Sequence, residues 1–300
     1  MSAQTLVART LGRTVNVRPA EVAGLLAAFG YHFLLFTAYY ILRPLRDSMG
    51  VTSGVENLDD LFGFTLLGML LAVPLFGWIS SRFRRAVFLP WTYVFFVAQL
   101  AGFWVLFTAF EDDRLTARVF FVWVSVFNLF VVSVFWSLMA DLFDREQGKR
   151  LFAVITAGAS AGQIAGSAIA AFLAEAIGDI NLLLISATVL ASTILLMRYL
   201  LHWGTRQEGR GKRLAERPIG GNPFAGIVRV FTSRYLSGIA AFVFLMAAVN
   251  TFLYLQQAEL LSIHFPEGAA RTAFLGRIEL ALSIITVLMQ IFAVGRLATR

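Results

Sequence analysis

Eight long apolar runs constrain this chain more than any other feature. They cover Val22–Leu42, Leu61–Ile79, Ala86–Ala109, Val119–Ala140, Leu151–Ile177, Leu182–Trp203, Leu236–Gln257 and Ala273–Val294. Each is close to the ~20 residues with which an α-helix crosses the ~30 Å hydrocarbon core of a bilayer. None alternates polar and apolar residues as the strand of a membrane barrel does. Backbone groups in hydrocarbon must be bonded within their own segment, so helix is the form open to these runs. The predicted fold is therefore all-α, a polytopic helical membrane protein of eight spans with the lipid bilayer as its first partner. The run Val22–Leu42 is too long for a signal-peptide core and no small-residue cleavage site follows it, so it is expected to stay in place as a helix. Charged residues make up 14% of the chain, against roughly a quarter in an average soluble domain.

The polar remainder sets orientation. Placing the N-terminus inside puts 19 of the 25 Lys and Arg residues in inner segments, the asymmetry that the positive-inside bias produces. Both termini are then cytoplasmic. The same bias accounts for the net charge of +7, so the basic character does not imply nucleic acid. The chain has no cysteine, which excludes disulfides, thiolate nucleophiles and Cys-based metal sites. Its three histidines lack ligand spacing. No nucleophile elbow, phosphate-cradling loop or zinc pattern occurs. The expectation is a protein that is not an enzyme, with no catalytic residue, metal or cofactor.

Only one loop is long. Residues 204–234 are basic and glycine-containing, and Pro223–Arg234 has the pattern of a short amphipathic helix lying on the inner surface. This segment divides a six-helix unit, residues 1–203, from residues 235–300, which hold the first two helices of a second unit. A recurring phrase supports the division: Gly77 and Gly295 each end an inner helix terminus with an arginine, Arg82 and Arg300, five residues on.

Several residues carry two readings. Gly158, Gly162 and Gly166 recur every four residues and so share one face of the fifth span. Helices in lipid gain by close backbone approach, and such a face permits it, which makes these helix-packing residues. Arg43, Arg46 and Asp47 follow the first span, with Pro44 expected to end its helix. They form either an interfacial anchor with a local salt bridge or a cavity-mouth site, in which arginine forks match carboxylate or phosphate oxygens. His32 lies within the first span, as a packing histidine or a proton-coupling site. Asp141, Lys149 and Arg150 mark the junction of spans four and five, as solvated loop charges or as a gate, with Arg82 and Arg85 after span two completing the inner charges. Asn128, Trp136, Asn250 and Gln257 give spans four and seven a polar side expected to face inward. Tyr31, Tyr39 and Tyr40 fit an interfacial aromatic belt, with nucleobase stacking by Tyr39 or Tyr40 as the other reading.

Residues Gly77–Arg85, with Ser81 and Arg84 at the expected acidic and glycine positions, resemble the loop signature of the major facilitator superfamily. Phe135–Trp136, Ala140–Asp141, Lys149–Phe152 and the glycine face resemble the ATP/ADP antiporter family and its bacterial relatives. So does Tyr39–Asp47, with Arg46 where many members have lysine. The resemblance implies a six-helix bundle followed by two helices of a second, incomplete bundle, four helices short of that superfamily's plan. Such a chain by itself is expected not to transport. It also implies a secondary-active transporter in a bacterial inner membrane, moving small anionic solutes, with nucleotides in ATP/ADP-type exchange as one case. Arg43, Arg46, Asp47, Tyr39, Tyr40, His32, Asn128, Trp136, Asn250 and Gln257 would be its substrate-binding residues. The alternatives are a non-transporting membrane scaffold or inactive relative, and a lipid or drug exporter of the same superfamily.

Overall fold

A computed structural model describes residues 17–82, 85–110, 114–206, 230–290 and 292. Among them the secondary structure is helical. Eight long helices are α1 (Val22–Thr52), α2 (Leu58–Arg82), α3 (Arg85–Ala109), α4 (Arg114–Leu142), α5 (Arg145–Ile177), α6 (Leu182–Arg206), α7 (Arg234–His264) and α8 (Gly268–Met289). All eight are long and apolar enough to cross a membrane. The expected surface helix Pro223–Arg234, apart from residues 230–234, and the second arginine phrase at Gly295–Arg300 lie outside the described residues.

α1 is the organising helix, because α4, α5 and α6 all pack against it. Its closest neighbour is α5, and the glycines explain why. A Cβ on Gly158 would stand 2.5 Å from the Phe29 carbonyl oxygen, and one on Gly166 would stand 2.5 Å from that of Thr37. At Gly162 the Phe33 carbonyl oxygen is closer still. Both series rise together by four, so α1 and α5 run parallel with backbones in direct contact, the approach that small residues allow in lipid. α8 runs the other way along α5: Thr272 meets Asp179, Gly276 lies against Ala170 and Ala171, and Gln290 reaches Ser160.

Buried polar groups tie the other helices together. Tyr31 Oη donates to Tyr93 Oη at 2.6 Å, and Tyr93 donates to the Val131 carbonyl at 3.2 Å, linking α1, α3 and α4. Tyr31 is fully buried, so it belongs to the core and not to an aromatic belt. Ser186 Oγ donates to the Ala38 carbonyl and links α6 to α1. A polar side chain with no water to bond must find such a partner inside the protein.

Two helix limits differ from the hydropathy reading. α1 continues eight residues past Pro44, which sits buried inside it. Hydropathy ends the span at Leu42 because it registers lipid-facing composition. Residues 43–52 are instead covered by α4, α7 and α8, and neighbouring helices allow a proline within a span. Likewise, the charged stretch after Asp141 is mostly helix and not loop. Asp144 caps α5 by accepting from Gln147 N at 2.8 Å, while Gln147 Oε1 accepts from Asp144 N at 3.1 Å. This capping box starts the helix at Arg145, so Lys149 and Arg150 ride on its second turn.

Candidate functional site

Arg43, Arg46 and Asp47 lie on the same stretch of α1 as Tyr39 and Tyr40, and four other helices converge on them. From α8, Glu279 Oε1 pairs with Arg43 Nε at 3.2 Å. From α5, Gln163 Nε2 donates to Tyr40 Oη at 2.8 Å, and the same oxygen accepts from Arg43 Nη1 at 3.2 Å. From α7, Tyr254 Oη donates to Asp47 Oδ1 at 3.0 Å, and that oxygen also holds Arg46 Nη1 at 2.9 Å. From α4, the Phe121 carbonyl accepts from Arg46 Nε at 3.2 Å, while the Phe121 ring lies 3.9 Å beneath the guanidinium carbon.

The cluster is charge-balanced, with two guanidinium groups against two carboxylates, but its arginines differ. Arg46 is clamped on one face by a ring and along its edge by two hydrogen bonds, with its side chain 16% exposed. Arg43 is 38% exposed and has one carboxylate partner, supplied by another helix. It is the cation with donors to spare, because a guanidinium carries five N–H groups in a planar fork.

Of the other expected binding residues, Gln257 joins Asp47 and Tyr254 in lining a small recess between α1, α7 and α8. Tyr39 packs edge-on against Tyr40 at 5.4 Å. His32 and Trp136 form a separate aromatic group. His32 Nδ1 is bonded to the Ile155 carbonyl at 2.9 Å, and its ring stacks on Phe135 at 4.0 Å with Trp136 edge-on at 5.6 Å. Phe36 bridges the two groups, touching the rings of His32, Tyr39 and Tyr40. Asn128 is half-buried on α4 away from these contacts. Asn250 does not face inward: it is exposed, at the end of a wholly exposed stretch of α7 that begins at Ala241.

Of the residues expected to gate the inner end, Lys149 and Arg150 have described partners outside that set. Lys149 pairs with Glu146 on its own helix, with both side chains exposed. Arg82 lies over Trp78, Asp141 is half-buried in the last turn of α4, and the Arg85 side chain lies outside the described ones. Arg150 instead grips Glu21 with both terminal nitrogens, at 3.1 and 3.4 Å, and Gln147 Nε2 donates to the same carboxylate at 2.9 Å. This buried knot fastens the start of α1 to the start of α5. Removing one partner of a buried pair leaves an uncompensated charge and costs about 3–5 kcal/mol. Glu21→Ala is therefore expected to lower resistance to SDS unfolding markedly. Lys149→Ala should leave it within error, because an exposed pair contributes little.

The ties between α1–α6 and α7–α8 gather at the other end, where α1 finishes. Arg271 donates through Nε to Ser48 Oγ at 3.0 Å and through Nη2 to Thr52 Oγ1 at 2.5 Å. Ser48 Oγ donates in turn to the Gly268 carbonyl at 3.2 Å, and Thr272 Oγ1 donates to Asp179 Oδ2 at 3.1 Å. Sequence reasoning missed Glu21, Phe121, Tyr254 and Arg271 in these roles. A readable signal existed for Arg271: it is a lone basic residue opening a span on the side poor in basic residues.

A third feature is a cavity of about 790 Å³ between α2, α3 and α4, lined almost wholly by apolar side chains. α2 and α3 barely touch, and both pack on α4.

Eight helices long and apolar enough to cross a membrane, among the described residues, with charged and polar groups gathered where α1 meets α4, α5, α7 and α8, are those of an integral membrane protein. Residues 11–300 match the family model of the Major Facilitator Superfamily, and the chain belongs to that superfamily. No curated protein and no solved structure matches it.

Proposed function

We propose that this chain takes part in secondary-active transport of small anionic solutes, by alternating access around the Arg43–Glu279 cluster. Membership of the superfamily supports transport in general. The observation that carries the finer reading is Arg43, a part-exposed guanidinium whose single carboxylate partner comes from α8. The Glu279 carboxylate sits where the carboxylate or phosphate of a solute would sit. An arriving anion then exchanges an internal partner for an external one, and the exchange releases a tie between α1 and α8. A ligand that competes for a tie favours the state in which the tie is open, which couples binding to movement.

In this reading α1–α6 move as one body and α7–α8 belong to another. With the N-terminus inside, Arg271–Ser48–Thr52, Thr272–Asp179 and Tyr254–Asp47 close the outer mouth. Nucleotides fall within the anionic class on the strength of Tyr39–Asp47 and Lys149–Phe152, with Tyr39 and Tyr40 as the rings for a base. A second reading, movement of lipids or apolar drugs, is favoured by the cavity between α2, α3 and α4, which shares no residue with the arginine cluster.

Proteoliposome uptake separates these readings. The anionic reading expects saturable uptake of a labelled nucleotide, sugar phosphate or dicarboxylate, with neutral analogues excluded. Movement of a fluorescent lipid with no anion uptake supports the second reading. Absence of both supports the scaffold reading.

A further inference from the structure

We propose that the cavity between α2, α3 and α4 holds one acyl chain of an anionic phospholipid from the surrounding bilayer, its headgroup facing Arg82.

The shape of the cavity comes from the sequence. Gly68 and Ala72 make the α2 wall thin, and a Cβ on Gly68 would already touch Val122 and Val126 of α4. Val87, Trp91, Phe95 and Gln99 recur every four residues and form one face of α3. That face spans twelve residues, about 18 Å of helix. Half of a hydrocarbon core of ~30 Å is about 15 Å, so the groove has the depth of one leaflet. Its volume of about 790 Å³ is that of a ligand site and not of a packing defect.

Two polar side-chain oxygens of the lining are engaged within the protein. Gln99 Oε1 accepts from Trp123 Nε1 at 3.0 Å, and Thr92 Oγ1 donates to the Phe88 carbonyl at 2.9 Å. An apolar chain therefore fits better than a polar solute. The open rim is hydrophobic, with Leu71, Trp91 and Phe95 more than half exposed.

Charge fixes the direction. Arg82 is exposed and lies two turns beyond Leu75, the last α2 residue of the lining, with its guanidinium 5.1 Å from the Trp78 ring. Its charge therefore stands on the α2 side of this end of the groove. Basic residues of this kind attract anionic headgroups. An apolar slot one leaflet deep with the Arg82 cation beyond its mouth matches a phospholipid in both halves.

The test uses the full chain in bilayers containing phosphatidylglycerol with a diazirine on its acyl chain, with adducts mapped by mass spectrometry. The expected result is labelling at Leu71 and Trp91 at least fivefold above Phe172 and Leu195, which are about as exposed but lie outside the cavity. Filling the slot with Thr92→Phe should cut that labelling about fivefold, and Arg82→Gln should remove any preference over phosphatidylcholine. Labelling spread evenly over the exposed surface would overturn the proposal, as would equal labelling by phosphatidylcholine in the unaltered chain. So would a disulfide-linked dimer formed by Leu71→Cys, which is informative because the chain has no other cysteine. The map on the unaltered chain decides even where a variant fails to fold.

Discussion

Gly162→Leu is expected to abolish the folded protein, whereas Leu183→Ala should leave it folded but weakened. Leu183 is fully buried, and truncating such a side chain costs about 2–5 kcal/mol through lost contacts and a cavity. The bundle survives because neighbours relax into the space. Gly162 has no such latitude. A Cβ there would overlap the Phe33 carbonyl oxygen and stand 3.0 Å from Thr37 N. Both are backbone atoms of α1, so neither can turn aside as a side chain would. α5 must move away bodily, which also loosens the approaches at Gly158 and Gly166. Overpacking a core typically costs about 1–3 kcal/mol, and displacing the most closely packed helix pair of the bundle should exceed that range. Loss of the monodisperse peak in detergent, with Leu183→Ala retaining it at a lower melting temperature, is the outcome to look for. A Gly162→Leu protein that melts with the unaltered chain would place this face against lipid.

Arg43→Ala is the second large effect. It should lower uptake of the transported anion by two orders of magnitude or more, and Arg43→Lys should restore only part. Lysine keeps the charge but not the planar fork that spans two acceptors. Truncation also strands Glu279, which is mostly buried, so some loss of stability is expected as well. Arg114→Ala provides the contrast. Arg114 is exposed at the first residue of α4, and its loss should leave uptake within twofold. Arg46→Ala should act mainly on stability, because Arg46 is held by Asp47 and Phe121.

The spans were legible because contact with lipid demands long apolar runs, a property local to each segment. The glycine face was legible for a related reason: its spacing of four is written in consecutive residues. Its partner was not, since nothing around Gly162 points to Phe33. The same limit hid the site. Arg43 and Glu279 stand 236 residues apart, and only the parallel and antiparallel packing of α1, α5 and α8 joins them. Hydropathy misread the end of α1 because protein, and not lipid, covers residues 43–52. Asp144-x-x-Gln147 is a capping signature that hydropathy, which starts the span at Leu151, does not register. Glu21 was passed over because an acid before a span reads as solvent-facing, and only the fold brings Gln147 and Arg150 onto it.

Anion binding to purified protein in detergent, read as thermal stabilisation, tests the central claim most directly. Three forms would be compared across a panel of nucleotides, sugar phosphates and dicarboxylates: the unaltered chain, Arg43→Ala and Glu279→Gln. If Glu279 holds the place of the solute on Arg43, at least one anion stabilises the unaltered chain. Arg43→Ala then loses that stabilisation, and Glu279→Gln, with the internal competitor neutralised, reaches it at about tenfold lower concentration. Stabilisation by an anion that survives Arg43→Ala and is unmoved by Glu279→Gln would contradict the account.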